Sequence, residues 1–210
     1  MRPLLVMLNF FKPNRTALLI IDAQNDFCHP KGFLARNGKD LRYIEGMLCK
    51  LPGVVNVSRK AGVKIIFIKS YFDEKFLSAS MRTRKKYLNR NEDVCPEGGW
   101  GSEFIIQPEK DDMVIVKYAF SAFIGTSLEH FLKQECIESL AITGVLTNVC
   151  CESTLRDGFM LGFNTVLFED CCASDNIDAH KATIYNVYNY FGWVSISDIL
   201  INFWINHREN

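Results

Sequence analysis

Five short runs punctuate the chain: 16-TALLIID-22, 63-VKIIFIK-69, 113-MVIV-116, 139-SLAITGV-145 and 165-TVLFED-170. Each is continuous in Ile, Val, Leu or Phe rather than alternating with polar residues, the pattern of strands covered on both faces. Between them lie helix-like segments over 40–60, 126–135, 151–162 and 178–191, followed by a sixth candidate strand, 193-WVSI-196, and a last helix over 197–206. Strand and helix alternate from end to end. That alternation predicts an α/β fold, a doubly wound (Rossmann-like), mostly parallel sheet of about six strands with helices on both faces. Only residues 71–110 break the pattern. They combine a basic run, 82-RTRKKYLNR-90, with a Gly/Trp turn, 98-GGWG-101, and read as an excursion over one edge. The basic run reads as a solvated helix face, with a binding patch as the other reading. No repeat, low-complexity tract or linker divides the chain, so residues 1–210 form one domain large enough to bury a core unaided.

Lys plus Arg and Asp plus Glu balance at 24 each, so no global field draws the chain to nucleic acid or to a membrane surface. A small molecule or another protein is the expected partner. The 8 cysteines include the vicinal pairs Cys150–Cys151 and Cys171–Cys172, awkward in a disulfide framework, and predict a reducing, cytoplasmic setting. There is no CxxC pair and no histidine cluster, so neither a metal site nor a cofactor is expected. The opening MRPLLVMLNFF has one Arg and a short apolar run, but no small-x-small cleavage site, and does not read as an export signal.

Ligands of doubly wound sheets sit outside the carboxyl ends of the strands. The residues found there are Asp22, Lys69, Lys117, the segment 144–150 and Asp170. With a helix starting near Cys150, residues Cys151, Leu155 and Phe159 fall on one apolar stripe, which makes Cys151 a core residue. Cys150 then sits about a hundred degrees round, in the first turn, where free N–H groups and the helix dipole lower a thiol pKa. From this segment alone, two inert thiols are an equally good reading. The rest of the chain breaks the tie. A cysteine nucleophile needs a proton acceptor, yet none of the four histidines ends a strand. Asp22 does, and so does Lys117. Each has a plain structural explanation taken singly, as a cap or a snorkelling side chain; together, a carboxylate, an ammonium and a thiol at three strand ends satisfy one another.

The stretches 20-IIDAQNDF-27, 117-KYAFSAFIGTSL-128, 143-TGVLTNVCCESTLRDGF-159, 166-VLFEDCCAS-174 and 191-FGWVS-195 resemble the isochorismatase-like cysteine hydrolases, in particular the ureidoacrylate amidohydrolase, biuret hydrolase and N-carbamoylsarcosine amidase branch. The resemblance implies that Asp22, Lys117 and Cys150 are catalytic. It also implies a cis peptide between Val145 and Leu146, and an oxyanion hole made of the amides of Leu146 and Cys150. Motif position brings Asn25, Phe27, Tyr71 and Phe123 near the site as candidate substrate contacts. Where the metal-binding nicotinamidases carry histidines after the second strand, this chain reads 67-FIKSYFDE-74, so neither a metal nor nicotinamide is expected. The implied activity is a cysteine-dependent amidohydrolase that cleaves a C–N bond of a small carbamoyl, ureido or amide compound through a thioester and releases ammonia. Vinyl-ether cleavage, and a catalytically idle binding protein, are the alternatives. Relatives commonly assemble, so a homo-oligomer is expected, a dimer or tetramer, with 199-ILINFWI-205 as a candidate contact.

Overall fold

The fold is known from a computed structural model, which describes residues 2–89 and 92–207. Strands β1 (Thr16–Ile21), β2 (Lys64–Ser70), β3 (Met113–Lys117), β4 (Ser139–Val145), β5 (Asn164–Ala173) and β6 (Trp193–Ser195) form one sheet in the order β3-β2-β1-β4-β5-β6. Every pairing between these strands is parallel. From β1 the chain winds outward through β2 to β3, then returns to β4 and winds the other way. The reversal opens a crevice between β1 and β4.

The apolar runs divide by parity. Leu18, Ile20, Ile65, Phe67, Ala141 and Val145 face one core, whereas Ala17, Leu19, Ile21, Ile66, Ile68, Leu140 and Ile142 face the other. The first core is closed by α4 (Arg42–Lys60) and α9 (Ser197–Asn206), with Met7 of α1 (Arg2–Phe10) against it. The second is closed by α6 (Leu128–Gln134) and α7 (Glu152–Met160). β1 and β4, at the centre of the sheet, are buried on both faces and have no polar side to show, which is why their runs are continuous; β3, expected to be covered likewise, is an edge strand that leaves Val114 exposed.

Several boundaries depart from expectation. β5 continues through Cys171–Cys172 to Ala173, because its register against β4 slips between Ile142 and Gly144, where Leu167 and then Cys172 are the partners. The slip pushes Glu169 and Asp170 out of the ladder. It sends Cys171 to one core and Cys172 to the other. The helix expected over 178–191 is α8 (Ile177–Asn186) followed by a π-helical turn, Val187–Phe191. The opening apolar run is α1; Phe10 and Phe11 pack on Trp193, and Trp204 Nε1 donates to Phe11 O. In 199–205, Leu200, Ile201 and Trp204 are buried within the chain, so this segment mainly covers the sheet.

Residues 71–110 do form an excursion. Its main element is α5 (Ala79–Tyr87), a helix with no buried residue. Of the basic residues of α5, Arg84 and Lys86 are exposed as expected for a solvated face, whereas Arg82 and Lys85 are half-buried, donating to Leu77 O and pairing with Asp93; Arg90 lies outside the described residues. The excursion is tied down by the segment after β1, which includes α2 (Asn25–Cys28) and α3 (Phe33–Arg36). The backbone of Gln24 bridges Phe104, its side chain donates to Ser70 O and Ser102 O, and Asp26 accepts from Cys95 N at 2.7 Å.

Candidate active site

β1 ends at Asp22, whose backbone sits at φ 52°, a left-handed conformation that Asp tolerates better than most residues. Its N–H still donates to Ile68 O of β2, while its carbonyl accepts from Gln24 N at 2.7 Å. The tight turn lifts the carboxylate over the strand end. Gly144 on the neighbouring β4 makes room for this: with φ 108°, a Cβ there would lie 2.0 Å from Ile21 O.

Lys117 ends β3, two strands away, and reaches under the crevice. Its Nζ lies 2.9 Å from Asp22 Oδ2, and both side chains are almost wholly buried. That contact is ionic, without an aligned hydrogen bond at Oδ2. Lys117 also donates to Ser70 Oγ at 2.8 Å and to Ala119 O at 3.0 Å. Ser70 in turn donates to Asp22 Oδ1 at 2.8 Å. Burial alone would depress the Lys117 ammonium, but the charge of Asp22, with Cys150 beyond it, holds it above the usual lysine value. A buried ion pair costs free energy to assemble unless its remaining hydrogen-bonding groups are satisfied. Ser70 and Ala119 satisfy Lys117 Nζ and Asp22 Oδ1, and Oδ2 keeps only its ionic contact with the ammonium.

Cys150 comes from the other half of the sheet. After β4 the chain passes a cis peptide between Val145 and Leu146, then a single π-helical turn, Thr147–Cys151, from which α7 continues. The candidate nucleophile is therefore in an irregular turn before the helix proper, not in its regular first turn. Cys151 and Leu155 face the core as the apolar stripe predicted, but Phe159 is exposed. Gly158 takes its place, its missing side chain leaving room for Leu140 and Phe123. The expectation of a lowered thiol pKa also needs correction. Burial first, and then the charge of Asp22, push the Cys150 thiol well above the ordinary cysteine range, against the pull of Lys117. The resting group is a thiol with a carboxylate beside it.

The turn is braced from several sides. Thr147 Oγ1 meets His180 Nδ1 of α8 at 2.9 Å, and Ser174 Oγ after the end of β5 donates to Asn148 Oδ1 at 2.7 Å. Glu152 pairs with Arg156 and accepts from Thr183 Oγ1 at 2.6 Å and Asn186 Nδ2 at 3.2 Å, locking α7 to α8. Burial works against the charge of Glu152, but these hydrogen bonds hold its pKa below the usual carboxylate value.

Of the strand-end residues, Asp22, Lys117 and Cys150 converge. Lys69 instead lies over the rings of Tyr71 and Phe104, and Asp170 pairs with Lys50 and caps the backbone of Ser197 at 2.8 Å. Among the candidate substrate contacts, Asn25 Nδ2 donates to Trp100 O, Phe27 is in the first core, and Phe123 stacks on Phe163. These three are engaged in packing or in holding loops. Tyr71 is half-buried, its N–H bonded to Lys117 O. Ser70 is the residue that sequence reasoning missed. A lone serine at a strand end carries no signal of its own; only its place between Asp22 and Lys117 does. Among the described residues, no group of three or more His, Cys, Asp or Glu side chains could hold a metal ion.

Fold and site together define a class: a doubly wound α/β protein with a thiol, a carboxylate and an ammonium gathered at its topological switch point. The isochorismatase domain matches residues 16–198, and the chain belongs to that family. It is 31% identical over 212 residues to the ureidoacrylate amidohydrolase of Acinetobacter baylyi, covering 94% of this chain and 86% of that one. To the ureidoacrylate amidohydrolase of Pantoea ananatis it is 34% identical over 200 residues, covering 88% and 80%. The crystal structure of a cysteine hydrolase from Pseudomonas syringae superposes with a TM-score of 0.83 at 22% identity, covering 94% and 96%.

Proposed function

We propose that the protein is a cysteine-dependent amidohydrolase that cleaves the terminal C–N bond of a small carbamoyl or ureido compound and releases ammonia. The observation that carries this reading is the buried Asp22–Lys117 pair placed beside the Cys150 thiol. Asp22 takes the proton from Cys150 as the sulfur attacks the substrate carbonyl, forming a C–S bond. The oxyanion is received by the amides of Leu146 and Cys150. Collapse of the tetrahedral intermediate breaks the C–N bond, and Asp22 returns the proton so that ammonia leaves. Water, deprotonated by Asp22, then hydrolyses the S-carbamoyl thioester, releasing the acid and restoring the thiol. Lys117, held by Ser70, keeps the Asp22 side chain turned toward the sulfur. Urea-type carbonyls are poor electrophiles because two nitrogens donate into them, so a sulfur nucleophile and a preorganised oxyanion site suit them. The cycle calls on no cofactor.

All eight cysteines are free, which suits a reducing cytoplasm. The chain works as a dimer or tetramer; exposed Phe159, Met160, Tyr185, Tyr188 and Tyr190 offer apolar surface for assembly. Ammonia release measured as kcat/KM for ureidoacrylate, biuret, N-carbamoylsarcosine, nicotinamide and isochorismate (the last followed by loss of substrate) tests the function. The carbamoyl compounds should lead. Nicotinamide or isochorismate at the head of the ranking defeats the assignment.

A further inference from the structure

Beneath α5 lies a cavity of about 370 Å³, within the size range of ligand sites. Phe72, Leu77, Met81 and Phe120 give it apolar walls. Its wall approaches the Asp22–Lys117 pair through Phe72, whose ring centroid lies 5.3 Å from Lys117 Nζ and which meets Phe120 edge to face at 6.0 Å. The charges on its wall are unequal in their commitments. Lys85 is paired with Asp93, and Glu92 with Arg36. Arg84 lines the cavity and is exposed; its guanidinium lies 5.5 Å from the Tyr87 ring centroid, with no carboxylate partner among the described residues. Such a guanidinium is open to an anion.

We propose that this cavity receives the N-substituent of the substrate, which is an N-carbamoyl compound carrying an aryl or branched-alkyl group and a carboxylate, the acid being read by Arg84. This rests on the amidohydrolase reading and narrows it. A small planar ureido compound would leave the aromatic walls without contact, whereas an apolar substituent fills them while its carbamoyl end reaches Cys150.

The test compares kcat/KM for N-carbamoylphenylalanine, N-carbamoylglycine and N-carbamoylphenethylamine, which lacks the acid. The phenylalanine derivative should exceed the glycine derivative by roughly tenfold or more. Leu77→Trp, which fills the cavity, should collapse that ratio, and Arg84→Gln should bring the phenylalanine derivative down to the level of the phenethylamine one. Equal values for the glycine and phenylalanine derivatives overturn the proposal, as does a ratio unmoved by Leu77→Trp. Should no carbamoyl compound yield ammonia, the amidohydrolase reading itself has failed, and calorimetry with 3-phenylpropanoate then decides the cavity. Binding that is weakened by Leu77→Trp and by Arg84→Gln upholds it; no binding to the full chain overturns it.

Discussion

The floor of the site and its roof are built on opposite principles. The floor consists of the carboxyl ends of β1, β2 and β3 with the turn after β4, and there Asp22, Ser70, Lys117 and Cys150 are buried, the first three linked directly to one another. The roof is the excursion over 71–110, where α5 buries no residue and covers a cavity with aromatic walls. Groups that move protons must be held to fractions of an ångström, and burial in a satisfied network supplies that. Groups that select a substituent need only shape and apolar contact, so they tolerate a looser element. On the proposed function the floor carries the chemistry, and on the proposed role of the cavity the roof carries selectivity.

Substitutions can break this division. The largest effect belongs to Cys150: Cys150→Ala should lower kcat by more than about a thousandfold, the scale of losing a nucleophile. Cys151→Ala, behind it, should keep kcat within about threefold while costing on the order of 1–2 kcal/mol of stability from the small cavity created. Turnover assays with denaturation curves separate the two, and a dead Cys151 variant would mean that the turn is misread.

Ser70→Ala comes next. It leaves Lys117 and Asp22 each short of a hydrogen bond, equivalent to about 1–3 kcal/mol, or roughly a tenfold to hundredfold fall in kcat. KM should change little, and Ser70→Thr should recover much of the loss. If alanine at this position is harmless, the network does not position Asp22.

A smaller effect concerns pH. Burial and then Asp22 raise the Cys150 thiol, so its alkylation by iodoacetamide in the free protein should gain speed only above the ordinary cysteine value of 9.0. Because the folded value is raised, the stability contributed by the buried protonated thiol is present below that ordinary value and is lost as pH climbs through the folded one. Asp22→Asn removes the neighbouring negative charge and should move the alkylation midpoint to lower pH. A midpoint that moves upward would contradict the electrostatic account. On the roof, the exposed Lys86 of α5 marks the small end of the scale. Lys86→Ala should shift unfolding by no more than about 0.5 kcal/mol and leave kcat unchanged; a large loss would show α5 to be more tightly coupled than its lack of buried residues implies.

The sequence by itself marked the six strands, their mostly parallel arrangement and the three residues to which the proposed function gives the chemistry. Each leaves a local mark. Continuous Ile, Val and Leu runs bounded by turn residues suit strands buried on both faces, and a charge directly after such a run, at Asp22 or Lys117, is costly without a partner. The choice of Cys150 over Cys151 rests on the direction in which each residue faces on a helix. Cys151 does face the core, although the turn is π-helical and Phe159 yields its place to Gly158. The tertiary structure alone decided the rest. Ser70, Gln24 and Asp26 acquire their roles from partners between 46 and 78 positions away along the chain, and nothing in a serine, a glutamine or an aspartate announces such a partner. The register slip that splits Cys171 from Cys172, and the cavity under α5, likewise depend on how crossovers bring separate elements together. Periodicity records which way a side chain faces; it holds no record of what stands opposite.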